Sequence, residues 1–253
     1  MVELVGLFFA GLVGGIINSV AGGGSFITFP ALIAAGVPPI AANATNTFAS
    51  CAGYLSGAAG FRSELWAHRA HLPRVFCCAL LGGGMGAWLL LQTPEEAFSR
   101  AVPWLLLLAT ALLIWGETLQ AVLYRHLGYR QGLPVAARLI LALLLLAVCT
   151  YGGFFNAGFG IILLGYLTLA GYQDIHLMNG LKLLVSALVA ALAIIIFSAA
   201  DIIAWRQGSA VLMGTLLGGY AAASVVRVVR QSIVRRCIIT VAAGMTAYFF
   251  VTS

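Results

Sequence analysis

The chain has 253 residues, 62% of them hydrophobic and 8% charged, with a mean hydropathy of +1.05. Average soluble proteins carry about 25% charged residues, and no soluble fold of this size hides so much apolar surface, so the solvent is lipid. The net charge of +6 does not point to nucleic acid, because the arginines sit in short stretches between apolar runs, as orientation signals and lipid-headgroup contacts do.

The runs are apolar on all faces rather than in period two, which predicts an all-α polytopic membrane protein. The N-terminus has neither a basic n-region nor a small-residue cleavage site, so it reads as part of the mature chain. Five cysteines, mostly within the predicted spans, show no CxxC or Cys/His ligand spacing. They read as small hydrophobes, and neither a metal site nor a cofactor is expected.

The first element breaks early. An apolar arm over 4–17 meets "NSVAGGGSF" at 18–26. There Gly22, Gly23 and Gly24 each cost a helix roughly 0.8–1.0 kcal/mol relative to alanine, and Asn18, Ser19 and Ser25 bring polar groups to membrane depth. A second arm covers 25–36. After a tight turn comes a helix over 39–60 headed by Asn43, Thr45, Asn46 and Thr47, then helices over 75–91 and 101–123.

The second half repeats the plan. "GGIINSVAGGGSF" at 14–26 resembles "GGFFNAGFGI" at 152–161, pairing Asn18 with Asn156, and "GVPPIAANATN" resembles "GYQDIHLMNGLK", pairing Gly36 with Gly171, Asn43 with Asn179 and Asn46 with Lys182. After the arm 139–155 and the break at 156–160, helices are expected over 176–197, 207–223 and 237–252. A period near 136 residues divides one membrane domain into repeats at 1–124 and 125–253, the pattern of duplicated transporter halves.

Charge arbitrates the topology. If both broken segments fold back as hairpins, six helices span, and the loop arginines divide 10 to 2 between the faces. If both segments span, giving eight crossings, the division is 7 to 5. The positive-inside rule prefers two inverted repeats, each a re-entrant hairpin plus three transmembrane helices, with eight spanning helices as the alternative. The length of the arm 139–155 favours that alternative. In the hairpin arrangement the tips Asn18–Ser25 and Asn156–Gly160 meet near the midplane. Each second arm then starts a helix whose positive dipole end faces the centre, as in anion sites.

At these residues the chain resembles the sulfite exporter TauE/SafE family, also called the 4-toluene sulfonate uptake permease family. The resemblance rests on "GGIINSVAGGGSFITFPALIAAGVPPIAANATNTFA" and its weaker echo "GGFFNAGFGIILLGYLTLAGYQDIHLMNGLK". It implies a multi-pass transporter of sulfite, sulfonates or related small anions in the bacterial inner membrane. The second copy lacks the proline that the family pattern carries there.

Lys182 is the only lysine and the only basic residue well inside a span, where a charge costs about 2.5–3.5 kcal/mol on insertion scales. It is the candidate anion ligand, with snorkelling as the alternative. The expected substrate contacts are Asn18, Ser19, Gly22, Gly23, Gly24, Ser25, Asn46, Thr47, Asn156, Gly158, Asn179 and Lys182. Asn43 reads as a cap. Glu117 reads as interfacial, a coupling proton being the other reading, and Asp174 and His176 as caps of the helix beginning near Ile175. The cluster Gly82–Gly86 and the pair Gly218-Gly219 fit close helix packing or a homodimer face, and "GGGMG" is no phosphate loop because no Lys-Ser/Thr follows.

The residues therefore predict a secondary transporter of a small anion, with no Walker motif and a proton or sodium gradient as the driving force. An inverted-repeat anion channel is the second reading. An embedded enzyme lacks paired carboxylates, a histidine cluster or a nucleophile–base pair at one depth.

Overall fold

Lipid offers backbone amides no hydrogen-bond partners, so the chain satisfies them within helices. The computed structural model describes residues 2–21, 23–69, 72–127, 135–228 and 231–252, and among them there is no strand. Eleven helices follow in order: α1 (Val2–Ala21), α2 (Ser25–Ala34), α3 (Pro39–Gly60), α4 (Arg62–Ala67), α5 (Leu72–Gln92), α6 (Glu95–Leu127), α7 (Val135–Phe154), α8 (Phe159–Leu169), α9 (Ile175–Ala199), α10 (Trp205–Val228) and α11 (Gln231–Thr252). Three segments are long and apolar enough to cross a membrane by length and composition: Val75–Gln92, Val135–Phe154 and Ile175–Ala199. Large apolar side chains such as Phe9, Leu81, Leu139, Leu143 and Ile195 are exposed, as a lipid-facing surface requires.

Both chain breaks are present, each followed by a half-length helix. At 1.5 Å per residue, α2 with 10 residues and α8 with 11 are about 15 and 16 Å long, half of a ~30 Å hydrocarbon core. They end alike. Gly36 (φ +80) and Gly171 (φ +88) take the left-handed conformation, Val37 N–H donates to the Leu32 carbonyl at 3.1 Å, and Tyr172 N–H donates to the Leu167 carbonyl at 3.0 Å. That is the glycine-terminated Schellman motif, in repeat-matched positions. Asp174 caps α9 as its sequence position predicts, accepting from His176 N–H at 2.8 Å.

The first arms differ from expectation. α1 continues through Ala21, so Asn18 and Ser19 lie on its last turns, and among the described residues of this break only Gly23 and Gly24 stand outside a helix. Its 20 residues measure about 30 Å, as do the 20 of α7, so only the second arm of each pair is short. The glycines of α1 fail to break it because neighbouring helices use them. A Cβ on Gly14 would meet the Thr28 methyl at 2.7 Å, and one on Gly15 would meet Thr215 Cα at 2.8 Å.

α3 and α9 form the centre and run antiparallel. Phe61, just past α3, stacks near His176 at the start of α9, while Thr45 near the start of α3 accepts from Ala204 N–H, past the end of α9, at 2.9 Å. α1 packs along α10, and α7 packs along α5. Both contacts are backbone on backbone: Gly11 and Gly15 face Val211 and Thr215, Gly214 and Gly218 face Phe8 and Leu12, and Gly82 and Gly86 face Leu146 and Thr150. Gly82, Gly83, Gly84, Gly86 and Gly218 are thus all turned onto neighbouring helices of the same chain.

This packing predicts opposite outcomes for chemically identical changes. Gly86→Ala would drive a Cβ into the Thr150 carbonyl and Gly218→Ala into that of Leu12, each costing about 1–3 kcal/mol. Gly6→Ala and Gly244→Ala meet nothing within 4 Å and should stabilise by roughly 0.5–1 kcal/mol. Thermal unfolding in detergent checks both signs.

Candidate functional site

α3 is rich in alanine, serine, threonine and asparagine, so it presents small polar groups where a lipid-facing helix presents leucine. Ser50, Gly53, Ser56 and Gly57 share one face at helical spacing and line a cavity of about 570 Å³. The other walls are Gly14, Gly15 and Asn18 of α1, Gly24 and Thr28 at the start of α2, Asn179, Lys182 and Leu183 of α9, and Thr215, Leu216, Gly219 and Tyr220 of α10. Phe61 and the exposed Tyr220 mark its mouth, at the end of α3, the start of α9 and the far end of α10. This end carries the exposed Arg62 and Arg69 and is called the Arg62 face below.

Lys182 Nζ donates to Asn179 Oδ1 at 3.0 Å, one turn back on α9. Among the described residues the one ion pair is Arg100 with Glu96, exposed at the opposite end, so the ammonium faces the cavity without a carboxylate. Across from it α2 begins. Phe26 N–H reaches the Gly23 carbonyl at 3.2 Å and Ile27 N–H that of Gly24 at 3.0 Å, and no side chain caps this end. The positive pole of α2 and the Lys182 charge therefore point into one space. Gly24 also serves the hairpin itself, because a Cβ there would lie 2.9 Å from Asn18 Cβ.

Of the residues expected from sequence, the cavity gathers Asn18, Gly24, Asn179 and Lys182. Asn46, Thr47, Asn156 and Ser25 lie beside it in a buried network. Tyr54 is the hub: its hydroxyl donates to Asn156 Oδ1 at 3.1 Å, with Ser50 and Ser25 nearby. Asn156 Nδ2 donates to Thr47 Oγ1 at 3.4 Å, Thr47 donates to the Asn43 carbonyl at 2.9 Å, and Asn43 Nδ2 donates to the Phe154 carbonyl at 2.9 Å. The Thr28 hydroxyl meets Asn46 Oδ1. Gly158, at φ +76, is pressed against Ala109 of α6 and caps α8 away from the cavity. Gly23 is buried, whereas Gly22 and the side chains of Ser19 and Glu117 lie outside the described residues. Sequence reasoning missed Thr28, Ser50, Ser56 and Thr215. The serines were accessible through the run Asn46, Ser50, Gly53, Gly57, which recurs at helical spacing.

At the opposite end the protein is shut. Phe29 of α2 and Phe155 of the second break meet edge-on at 5.6 Å, Phe29 stacks on Phe249 at 6.2 Å, and Phe98 lies against Phe154 and Phe155 at 5.8 and 6.2 Å. Phe29, Phe98, Phe155 and Phe249 are all buried. Beyond them a separate hollow of about 530 Å³ is lined by Glu95, Glu96, Ser99 and Arg100. This end is the Glu95 face. Among the described residues no three metal-ligating side chains gather.

The chain is 28% identical over 250 residues to a probable membrane transporter protein, YfcA, of Escherichia coli K12, covering 95% of this chain and 87% of that one. It is 26% identical over 244 residues to a probable membrane transporter protein of Haemophilus influenzae, covering 95% and 92%. It is 30% identical over 241 residues to the probable membrane transporter protein ORF9 of a Sinorhizobium species, covering 90% and 87%. No solved structure matches significantly. The model of the family described as sulfite exporter TauE/SafE matches residues 7–249, and the chain belongs to that family of membrane transporters.

Proposed function

We propose that the protein is a secondary transporter that carries a small anion, of the sulfur oxyanion or sulfonate class, by alternating access across the bacterial inner membrane. The carrying observation is the cavity itself: one ammonium, a helix N-terminus and neutral hydroxyls and amides, with no carboxylate to repel an anion. Such a site stabilises spread negative charge and supplies several donors at once.

The proposed architecture is two inverted repeats, each a broken-helix hairpin plus three crossing helices. Element positions support it, with α3 and α9 starting 136 residues apart and α6 and α11 likewise. Thr110 and Thr246, separated by that same 136, touch at 3.1 Å, as only mates beside a two-fold axis do. The antiparallel run of α3 and α9 supports an axis lying in the membrane plane. The hairpin reading is supported by Asn18, near the end of α1, lying beside Gly53 in mid-α3 before α2 turns back. The aromatic block below the cavity favours a transporter over a channel, since a channel needs a continuous path. With arginines on the cytoplasmic side, this conformation is open inward.

Lys182→Ala should weaken anion binding by ten- to a hundredfold, the ~1.5–3 kcal/mol worth of a hydrogen bond to a charged group, without lowering the unfolding temperature. Calorimetric titration with sulfite, sulfate, methanesulfonate, 4-toluenesulfonate and acetate measures it, and unchanged affinity for every anion that binds removes Lys182 from the site. Gly53→Leu extends a side chain into the cavity where no backbone stands close, so it should abolish anion flux in proteoliposomes while the protein still folds. For the topology, Arg69→Cys and Arg236→Cys should label from the cytoplasmic side and Glu95→Cys from the outside. Labelling of positions 69 and 236 from opposite sides would contradict six spans.

A further inference from the structure

The cavity has a buried counterpart. Shifted by the 136-residue period, three polar cavity residues, Ser50, Asn179 and Lys182, become Ser186, Asn43 and Asn46. All three mates are buried, at 3%, 1% and 0% exposure, and none lines the open cavity. Among the described residues Asn43 Oδ1 and Asn46 Nδ2 have no hydrogen-bond partner. Turning the Asn46 amide over does not help: Nδ2 would then meet Thr28, leaving the oxygen unpaired. Two orphaned amide ends within four residues are costly in a buried site, and such groups call for an explanation.

Their position supplies one. α3 and α9 are antiparallel, so Asn46, seven residues from the α3 start, is as deep from the Glu95 face as Lys182 is from the Arg62 face, about 10 Å along each helix. The group lies next to the aromatic block: Asn43 bonds the Phe154 carbonyl, and Phe154 and Phe155 pack on Phe98. Resting on the alternating-access reading, we infer that Ser186, Asn43, Asn46 and Thr47 line a second anion-contact surface. It opens to the Glu95 face when the contacts among Phe29, Phe98, Phe155 and Phe249 part.

The two surfaces are chemically unequal. The open one holds an ammonium, and its mate position holds a neutral amide, Lys182 against Asn46. The inferred surface itself thus lacks the cation that the open cavity carries.

Sided thiol labelling tests this. Single-cysteine variants Ser50→Cys and Ser186→Cys are near-isosteric, and Thr47→Cys gives a second buried position should Ser186→Cys fold poorly. A protein retaining only Cys149, which is buried between α5 and α7, sets the background. An impermeant methanethiosulfonate is added to one face of vesicles holding a methanesulfonate gradient, since sulfite would destroy the reagent. Because labelling is irreversible, a state visited once per cycle suffices. Ser50→Cys should react from the Arg62 face, and Ser186→Cys and Thr47→Cys from the Glu95 face, each at least tenfold faster than Cys149. Silence of positions 186 and 47 from both faces, or reaction from the Arg62 face, overturns the inference. Failure of the transporter reading looks different: no anion binds the unmodified protein in the calorimetric panel.

Discussion

Backbone that leaves the helix inside a membrane must find its hydrogen bonds in protein, and the rest of this structure follows from how that is done. Both breaks are brought against the middle of α3, where the Tyr54 hydroxyl reaches Asn156 of the second break and stands beside Ser25 of the first. A leucine-rich helix has nothing to offer there. The composition of α3, poor in large apolar residues and buried from Ala42 to Thr47, is the consequence of serving two irregular segments at once.

The same requirement creates the cavity. Small residues that let helices approach on one side leave space on the other, and the uncapped start of α2 faces that space together with Lys182. A lone ammonium half-buried in a lipid-solvated protein is tolerable where, as proposed, the cavity opens to an aqueous face, and its field is then available to whatever enters. At the other end aromatic rings fill the equivalent volume, so polar access is one-sided.

What could be read from sequence was local chemistry. The glycine stops at Gly36 and Gly171 and the Asp174 cap depend on residues within a few positions of one another, and they stand where the spacing puts them. The persistence of α1 through Gly14 and Gly15 was not readable, because the partners that stabilise it, Thr28 and Thr215, lie across the fold. Helix propensity yields there to tertiary packing. The division of the polar residues was likewise hidden. Sequence likeness pairs Asn18 with Asn156 and Asn46 with Lys182, yet Asn18 and Lys182 line the cavity while Asn156 and Asn46 are buried beside it, a division set by packing across the fold.

The glycine seams have a mechanical meaning. Where carbonyl rests on Cα there is no side chain to bend, so α1 is locked to α10 and α5 to α7 like keyed shafts. Each lock joins an element of the first half of the chain to an element of the second. In the proposed alternating-access cycle the moving bodies are therefore mixtures of the two halves, and force applied to the first break is delivered to α10 rather than to the helices that follow it in sequence.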